Sequence, residues 1–434
     1  MLELAIILIL GLITGVLVGL LPGLPAYFGP LMLFPFMDHL SADQILTFWL
    51  ACQIGGQYFG SVAAILLKVP GEASSIVFIN DIDKLSFADR YDLIRQTAWG
   101  STIGSMLSLA ALLIVYYLGI GDHLLILTKT NIKIFVLLIL MLTLVWFTKH
   151  RWISAVMFVL GAFLAEKTIH QLPLWMYKLQ EYTTDLTVFS IILGLMIIPE
   201  FIKESMTKIN SQSMERLPKE KSKLDIKSML KGTWLGSAIG FIPGPSAILA
   251  SMFTYNDSQQ RTIKQRIISS EAANNSAAVT SMLPFLFIGL PITLSEMILA
   301  DMFQIKIFSM PGDFQHNSLI PHLNLVELCF LVVFICTIVY HLLAQKFLGF
   351  YERLMKLAYG KLKWIYVILV AYLITVDINF NPVYLSRYLT YLIILSGIGW
   401  YLMKKNISVL PVIFGFILGD MITWACYNFY LINF

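Results

Sequence analysis

Charge is what this sequence has least of. Aspartate, glutamate, lysine and arginine together make up 13% of its 434 residues, about half the share found in soluble domains, and that shortage excludes an ordinary charged globular surface. Cysteine is scarce as well. Cys52, Cys329, Cys336 and Cys426 all stand in apolar segments, and no CxxC or Cys/His cluster is formed, which excludes a zinc site and a disulfide framework. The seven histidines are scattered, mostly near expected loops. No HExxH, GxSxG or paired-aspartate motif falls within an apolar run, so nothing marks an enzyme, and no cofactor is called for. No GxxxxGK[ST] loop is present to hold nucleotide phosphates, which argues against an ATP-driven pump. The formal net charge of +4 is spread over many loops, not gathered into a patch that would bind nucleic acid.

What the sequence does have is hydrophobic length. Apolar residues make up 58%, and the mean hydropathy is +0.78. The runs Leu2 to Leu21, Thr97 to Leu118, Asn131 to Phe147, Leu323 to Leu343 and Ser386 to Leu402 approach the ~20 residues that a helix needs to cross a bilayer. They are continuous and rich in Leu and Ile, whereas a β-barrel would alternate. A helix satisfies its own backbone in lipid, so a multi-pass, all-α membrane protein is expected. The first run lacks a basic leader, and Gly and Pro stand where a cleavage site would fall. It is expected to belong to the mature protein, not to be a signal peptide. Aromatic residues near the ends of the runs fit interface anchors.

A repeat runs through the chain. GLITGVLVGLLPGLPA carries Gly15, Gly19, Pro22 and Gly23; GTWLGSAIGFIPGPSA carries Gly236, Gly240, Pro243 and Gly244; each pair is 221 positions apart. The same offset takes Pro70 to Pro291, Ile192 to Ile413 and Gly194 to Gly415. A constant offset from end to end implies two homologous halves, 1–202 and 223–434, joined by a linker at 203–222. The hydrophilic stretch Lys203 to Lys231 holds eight Lys/Arg against four Asp/Glu and is expected on the cytoplasmic side. Other basic loops are Lys149 to Arg151, Arg261 to Arg266, Lys346 to Lys363 and Lys404-Lys405, with Asp81 to Arg95 nearly self-cancelling. Shifted by 221 positions, Lys149–Arg151 and Lys346–Lys363 meet loops that are not basic. That is the pattern of inverted-topology repeats, in which each half crosses the bilayer an odd number of times.

Each half is also broken twice by proline: at Pro22-Gly23 and Pro70-Gly71 in the first, at Pro243-Gly244 and Pro291 in the second. The limbs after the first breaks are short, as in re-entrant hairpins with Pro-Gly tips. Proline frees backbone groups that lipid cannot satisfy, and matched breaks in two repeats point to a transporter's binding site. An isolated Pro-Gly would be only a packing kink. Between the breaks of the second half, Glu271, Asn274 and Asn275 share one helical face. This face fits a coupling ion or proton site, Glu271 supplying the charge. A duller alternative puts Glu271 in a first helical turn, where the dipole favours an acid, and makes the asparagines interhelical glue. The first half presents Gln53, Gln57 and Lys68 in apolar surroundings. Lys68 either attracts an anion or snorkels to an interface. Asp301 is expected at an interface, and Glu296 stays open.

GxxxGxxPG opening each half, ILLKVPGEAS after a glycine-rich patch, EAANNSAAVTSMLPFLFIGLP and the late PVIFGFILGD together resemble the large permease subunit of the tripartite tricarboxylate transporters, the TctA-type family. The chain departs from that family's pattern at Lys68, Ile292 and Glu296. The resemblance implies a multi-pass protein of the bacterial inner (cytoplasmic) membrane that works with a small four-helix membrane subunit and a periplasmic solute-binding protein. It implies uptake of a small organic anion, a di- or tricarboxylate, by symport with Na⁺ or H⁺. The substrate would lie among Pro22, Gly23, Gln53, Gln57, Lys68, Pro70, Gly71, Pro243, Gly244, Asn274, Asn275 and Pro291, and the coupling ion at Glu271, Asn274 and Asn275. A stand-alone permease or channel without a binding protein, and a non-transporting membrane scaffold, are the competing functions.

Overall fold

The computed structural model describes residues 2–21, 26–32, 39–67, 71–120, 130–165, 187–206, 222–257, 262–302, 324–346, 348–378 and 385–419. These residues form helices and turns, with no strand among them. In chain order the helices are α1 (Leu2–Leu20), α2 (Ala42–Leu67), α3 (Phe87–Tyr117), α4 (Thr130–Trp146), α5 (Arg151–Ala165) and α6 (residues 188–206, with a π-helical turn at Leu193–Ile197). After the linker come α7 (Ile226–Ile239), α8 (Ser246–Asp257), α9 (Ile263–Ile288), α10 (Leu294–Met302), α11 (Leu325–Lys346), α12 (Leu348–Asp377), α13 (Leu385–Lys404) and α14 (Leu410–Gly419). Of these, α1, Ala88–Tyr117 of α3 and α11 are long and apolar enough to cross a membrane.

The chain folds as two compact units, Met1–Leu125 with Thr207–Leu362, and Ile126–Met206 with Lys363–Phe434. In the first unit, glycine decides how helices approach. Gly11, Gly15 and Gly19 line the side of α1 against α2; a Cβ at Gly15 would stand 2.8 Å from the Ala51 carbonyl oxygen. Gly232, Gly236 and Gly240 line α7 against α9; a Cβ at Gly236 would stand 2.3 Å from the Ala273 carbonyl oxygen. Lipid offers these helices no hydrophobic drive to associate, so close backbone packing of small residues does that work. The outer side of α1 exposes Leu2, Ile6, Ile9 and Ile13, as a helix facing acyl chains would.

Helix α9 is the polar interior of this unit. It packs against α3, α7 and α8, and Ser269, Ser270, Glu271, Asn274, Asn275, Ser276, Thr280 and Ser281 are all buried along it. A capping box of Thr262 and Gln265 starts it, and Gly289 ends it with φ of 65°. At that C-terminus the Gly289 N–H reaches the Phe285 carbonyl at 2.9 Å, and the Leu290 N–H reaches Pro284 at 3.1 Å. A left-handed glycine closing such a pair of bonds is what terminates many helices.

In the second unit the same device recurs. A Cβ at Gly161 of α5 would lie 2.0 Å from the Val412 carbonyl oxygen of α14, and one at Gly415 of α14 would lie 2.0 Å from that of Phe158 of α5. Gly194, in the π-helical turn, lets α6 approach Leu395 of α13. Phe201 stacks on Tyr366 with ring centroids 4.1 Å apart.

Candidate functional site

The candidate site lies in the first unit, beside the described parts of the helix breaks. In the second half, the N–H of Gly244 donates to the Ile292 carbonyl at 2.7 Å. Gly244 adopts φ of 105°, a backbone that only glycine holds without strain. In the first half, Gly71 presses on the end of α1. A Cβ there would stand 2.6 Å from the Gly60 Cα and 2.7 Å from the Gly19 carbonyl oxygen. Pro243 and Pro291 flank the contact in the second half, and Pro291 is buried. Pro22, Gly23, Lys68 and Pro70 lie outside the described residues, as does the side chain of Asp301.

Each long helix then reaches across to the turn after the other half's second break. Asn274 of α9 donates through Nδ2 to Glu72 Oε2 at 3.1 Å. Ser295, at the start of α10, donates to Gln53 Oε1 of α2 at 2.8 Å, and Trp49 Nε1 anchors the same serine at 3.0 Å. Gln53 and Asn274 occupy positions 221 apart, so equivalent residues of the two long helices make the two crossings.

Glu271 is not in a first turn. Helix α9 starts at Ile263, so Glu271 sits more than two turns in, beyond the reach of the helix dipole. It is fully buried, and neither carboxylate oxygen has a hydrogen-bond partner among the described residues. The Ser61 hydroxyl lies beside it but donates to the Tyr58 carbonyl at 2.9 Å. Asn275 donates to Ser101 Oγ at 2.9 Å and to the Glu271 carbonyl at 3.0 Å. These bonds engage both amide nitrogens and leave both amide oxygens without a partner among the described residues. Gln57 is also buried, with its Nε2 unpartnered. Buried polar atoms almost always find partners. An unsatisfied carboxylate with two unsatisfied amide oxygens on the same helical face is a set of hard acceptors suited to a hard cation such as Na⁺.

Glu296 has a different fate. Its Oε1 accepts from the Ser281 hydroxyl at 2.8 Å, and its Oε2 accepts from the N–H groups of Ile292 at 2.8 Å and Thr293 at 3.1 Å. The Glu296 N–H in turn meets Thr293 Oγ1 at 3.4 Å. This is a capping box for α10. Its signature, Thr293 followed three residues later by Glu296, stands openly in the sequence. Glu72 was not foreseen. An acid directly after Pro70-Gly71 was the available signal, but its role depends on a meeting with Asn274, a residue far along the chain.

At one end of the first unit, the Asp81–Arg95 stretch meets the basic start of α9. Asp81 accepts from the Tyr255 hydroxyl and from Lys84 Nζ at 2.5 Å. The Arg266 guanidinium lies 4.0 Å over the Tyr255 ring, and Arg266 Nε donates to the Tyr255 carbonyl at 3.1 Å. Lys264 pairs with Asp89. The end of the linker joins them: Gln96 Nε2 donates to Ser222 Oγ at 2.8 Å. These three stretches therefore share one end of the unit.

Long apolar helices, glycine-mediated packing and polar groups buried between broken helices define a membrane transport protein. A family profile described as the tripartite tricarboxylate transporter TctA family matches residues 5–414. The chain belongs to that family, which is a family of transporter components and not of enzymes. A relative from Agrobacterium vitis, described as an uncharacterized 52.8 kDa protein in the TAR-I ttuC' 3' region, is 24% identical over 446 aligned positions, covering 95% of this chain and 84% of the relative. No solved structure matches the chain.

Proposed function

We propose that this chain is the permease subunit that carries a small organic anion, a di- or tricarboxylate, into the cell across the bacterial inner membrane, in symport with Na⁺ or H⁺. A periplasmic solute-binding protein delivers the anion, and a small four-helix membrane subunit completes the system. Family membership supports the class of cargo and the companions. The observation that carries the coupling is the buried face of Glu271, Asn274 and Asn275, whose free oxygens await a positive charge.

The two halves act as inverted repeats, with their Pro-Gly breaks as re-entrant tips around the solute. The matching ranges of α2 and α9, whose first and last residues are each 221 positions apart, support this reading. So do the two crossings from Gln53 and Asn274. The substrate lies between those crossings, against Gln57, Gly71, Pro243, Gly244 and Pro291. Broken-helix N–H groups offer donors to its carboxylates.

Cells expressing Asn274→Ala or Asn275→Ala test the site. Losing an ion ligand costs uptake about tenfold or more, while membrane expression stays normal. Wild-type uptake kinetics in both variants would exclude it.

A further inference from the structure

Two acids, not one, face this site with no basic residue beside them among the described residues. Glu296 is excluded, because hydroxyl and backbone donors occupy both its oxygens. Glu271 lies fully buried with both oxygens free. Glu72, in the turn after the first half's second break, accepts at 3.1 Å from Asn274, which stands one helical turn from Glu271. Glu72 is partly buried, whereas Glu271 is fully buried. Asn274 joins the two: it lies on the face of Glu271, donates to Glu72, and keeps an unpartnered Oδ1.

Among the described residues, no lysine, arginine or histidine faces either carboxylate; the charged neighbour of Glu271 is Glu72 itself. The described groups around them are neutral: Ser61 on α2, Ser74 beside Glu72, Ser101 on α3 and the α9 amides. Like charges in a low-dielectric interior repel strongly, and a buried charge needs a partner. The ligands are carboxylate and amide oxygens, which suit hard cations. No group of three or more His, Cys, Asp or Glu among the described residues could hold a metal ion, so they form no divalent cage.

We propose that Glu72 is a cation ligand of the coupling site and that the Glu72–Glu271 pair takes up two Na⁺ ions in each transport cycle. The proposal rests on the cation-coupled function above and adds both a ligand and a stoichiometry to it. It also sets an order. An anion is repelled by two bare carboxylates, so the cations bind first, the inner one at Glu271 and the outer one at Glu72. The two ligands come from opposite halves of the chain, so occupancy ties the two broken regions together.

Equilibrium binding of ²²Na⁺ to the purified full-length chain in lipid nanodiscs tests this. Wild type and the Glu296→Gln control are expected to bind two ions per chain, and Glu72→Gln one. The Glu72→Gln amide keeps an oxygen to accept from Asn274, and unchanged thermal unfolding verifies that the fold is kept. One ion bound by wild type, lost in Glu271→Gln and retained in Glu72→Gln, would overturn the proposal while leaving the coupling function standing. One ion in wild type and two in Lys68→Ala would also overturn it, because Lys68 would then be the counter-charge to Glu72. No ion bound by wild type would remove Na⁺ coupling itself, and the proposal with it.

Discussion

Glu271 and Glu296 lie in the same half, and both are buried, yet the donors around them separate their roles. Glu296 holds the start of α10 to α9. Replacing it with alanine strips two backbone N–H groups and a hydroxyl of their acceptor, a loss of about 3 kcal/mol. Thermal unfolding of Glu296→Ala in detergent is expected to fall well below wild type, with Glu296→Gln between them. An unchanged unfolding temperature would remove its capping role. This role was legible in sequence as a threonine–glutamate capping box; a search restricted to charges inside apolar runs passes over it. The Glu271–Asn274–Asn275 face was legible because helical spacing is local. Glu72 was not, because its partner is supplied by the fold.

At the scale of elements, the repeat was the most legible feature. The 221-position offset found among glycines and prolines recurs in the bounds of α2 and α9 and in the glycine stripes of α1 and α7. The meeting of the Asp81–Arg95 stretch with the start of α9 was not legible, because that stretch nearly cancels its own charge and charge counting gives it no side. The contact with Lys264 and Arg266 supplies one. Hydrogen bonds from Lys84 and Tyr255, with the nearby Arg266 charge, hold the Asp81 carboxyl below the usual carboxylate range. A depressed acid contributes stability that is present above its unfolded value of about 3.9 and is lost as pH falls through its lower folded value. Asp81→Asn is therefore expected to melt below wild type at neutral pH, and the two curves should converge in strong acid. A gap that persists at low pH would show that Asp81 acts through something other than its charge.

For the whole molecule, composition and hydropathy sufficed for a helical membrane protein, and the motifs sufficed for the family. The two compact units were not legible, since each combines a segment from each half of the chain and the repeat describes sequence, not spatial grouping. The central claim is that the buried acids of the first unit couple organic-anion uptake to a cation gradient. Its most direct test is uptake of radiolabelled di- and tricarboxylates into proteoliposomes holding this chain and the proposed small membrane subunit, with the proposed binding protein outside, with and without an inward Na⁺ or H⁺ gradient. The account predicts accumulation of one such anion that requires both a cation gradient and the binding protein, and that is lost in Glu271→Gln. Uptake that proceeds equally without any cation gradient, or in Glu271→Gln, would contradict it.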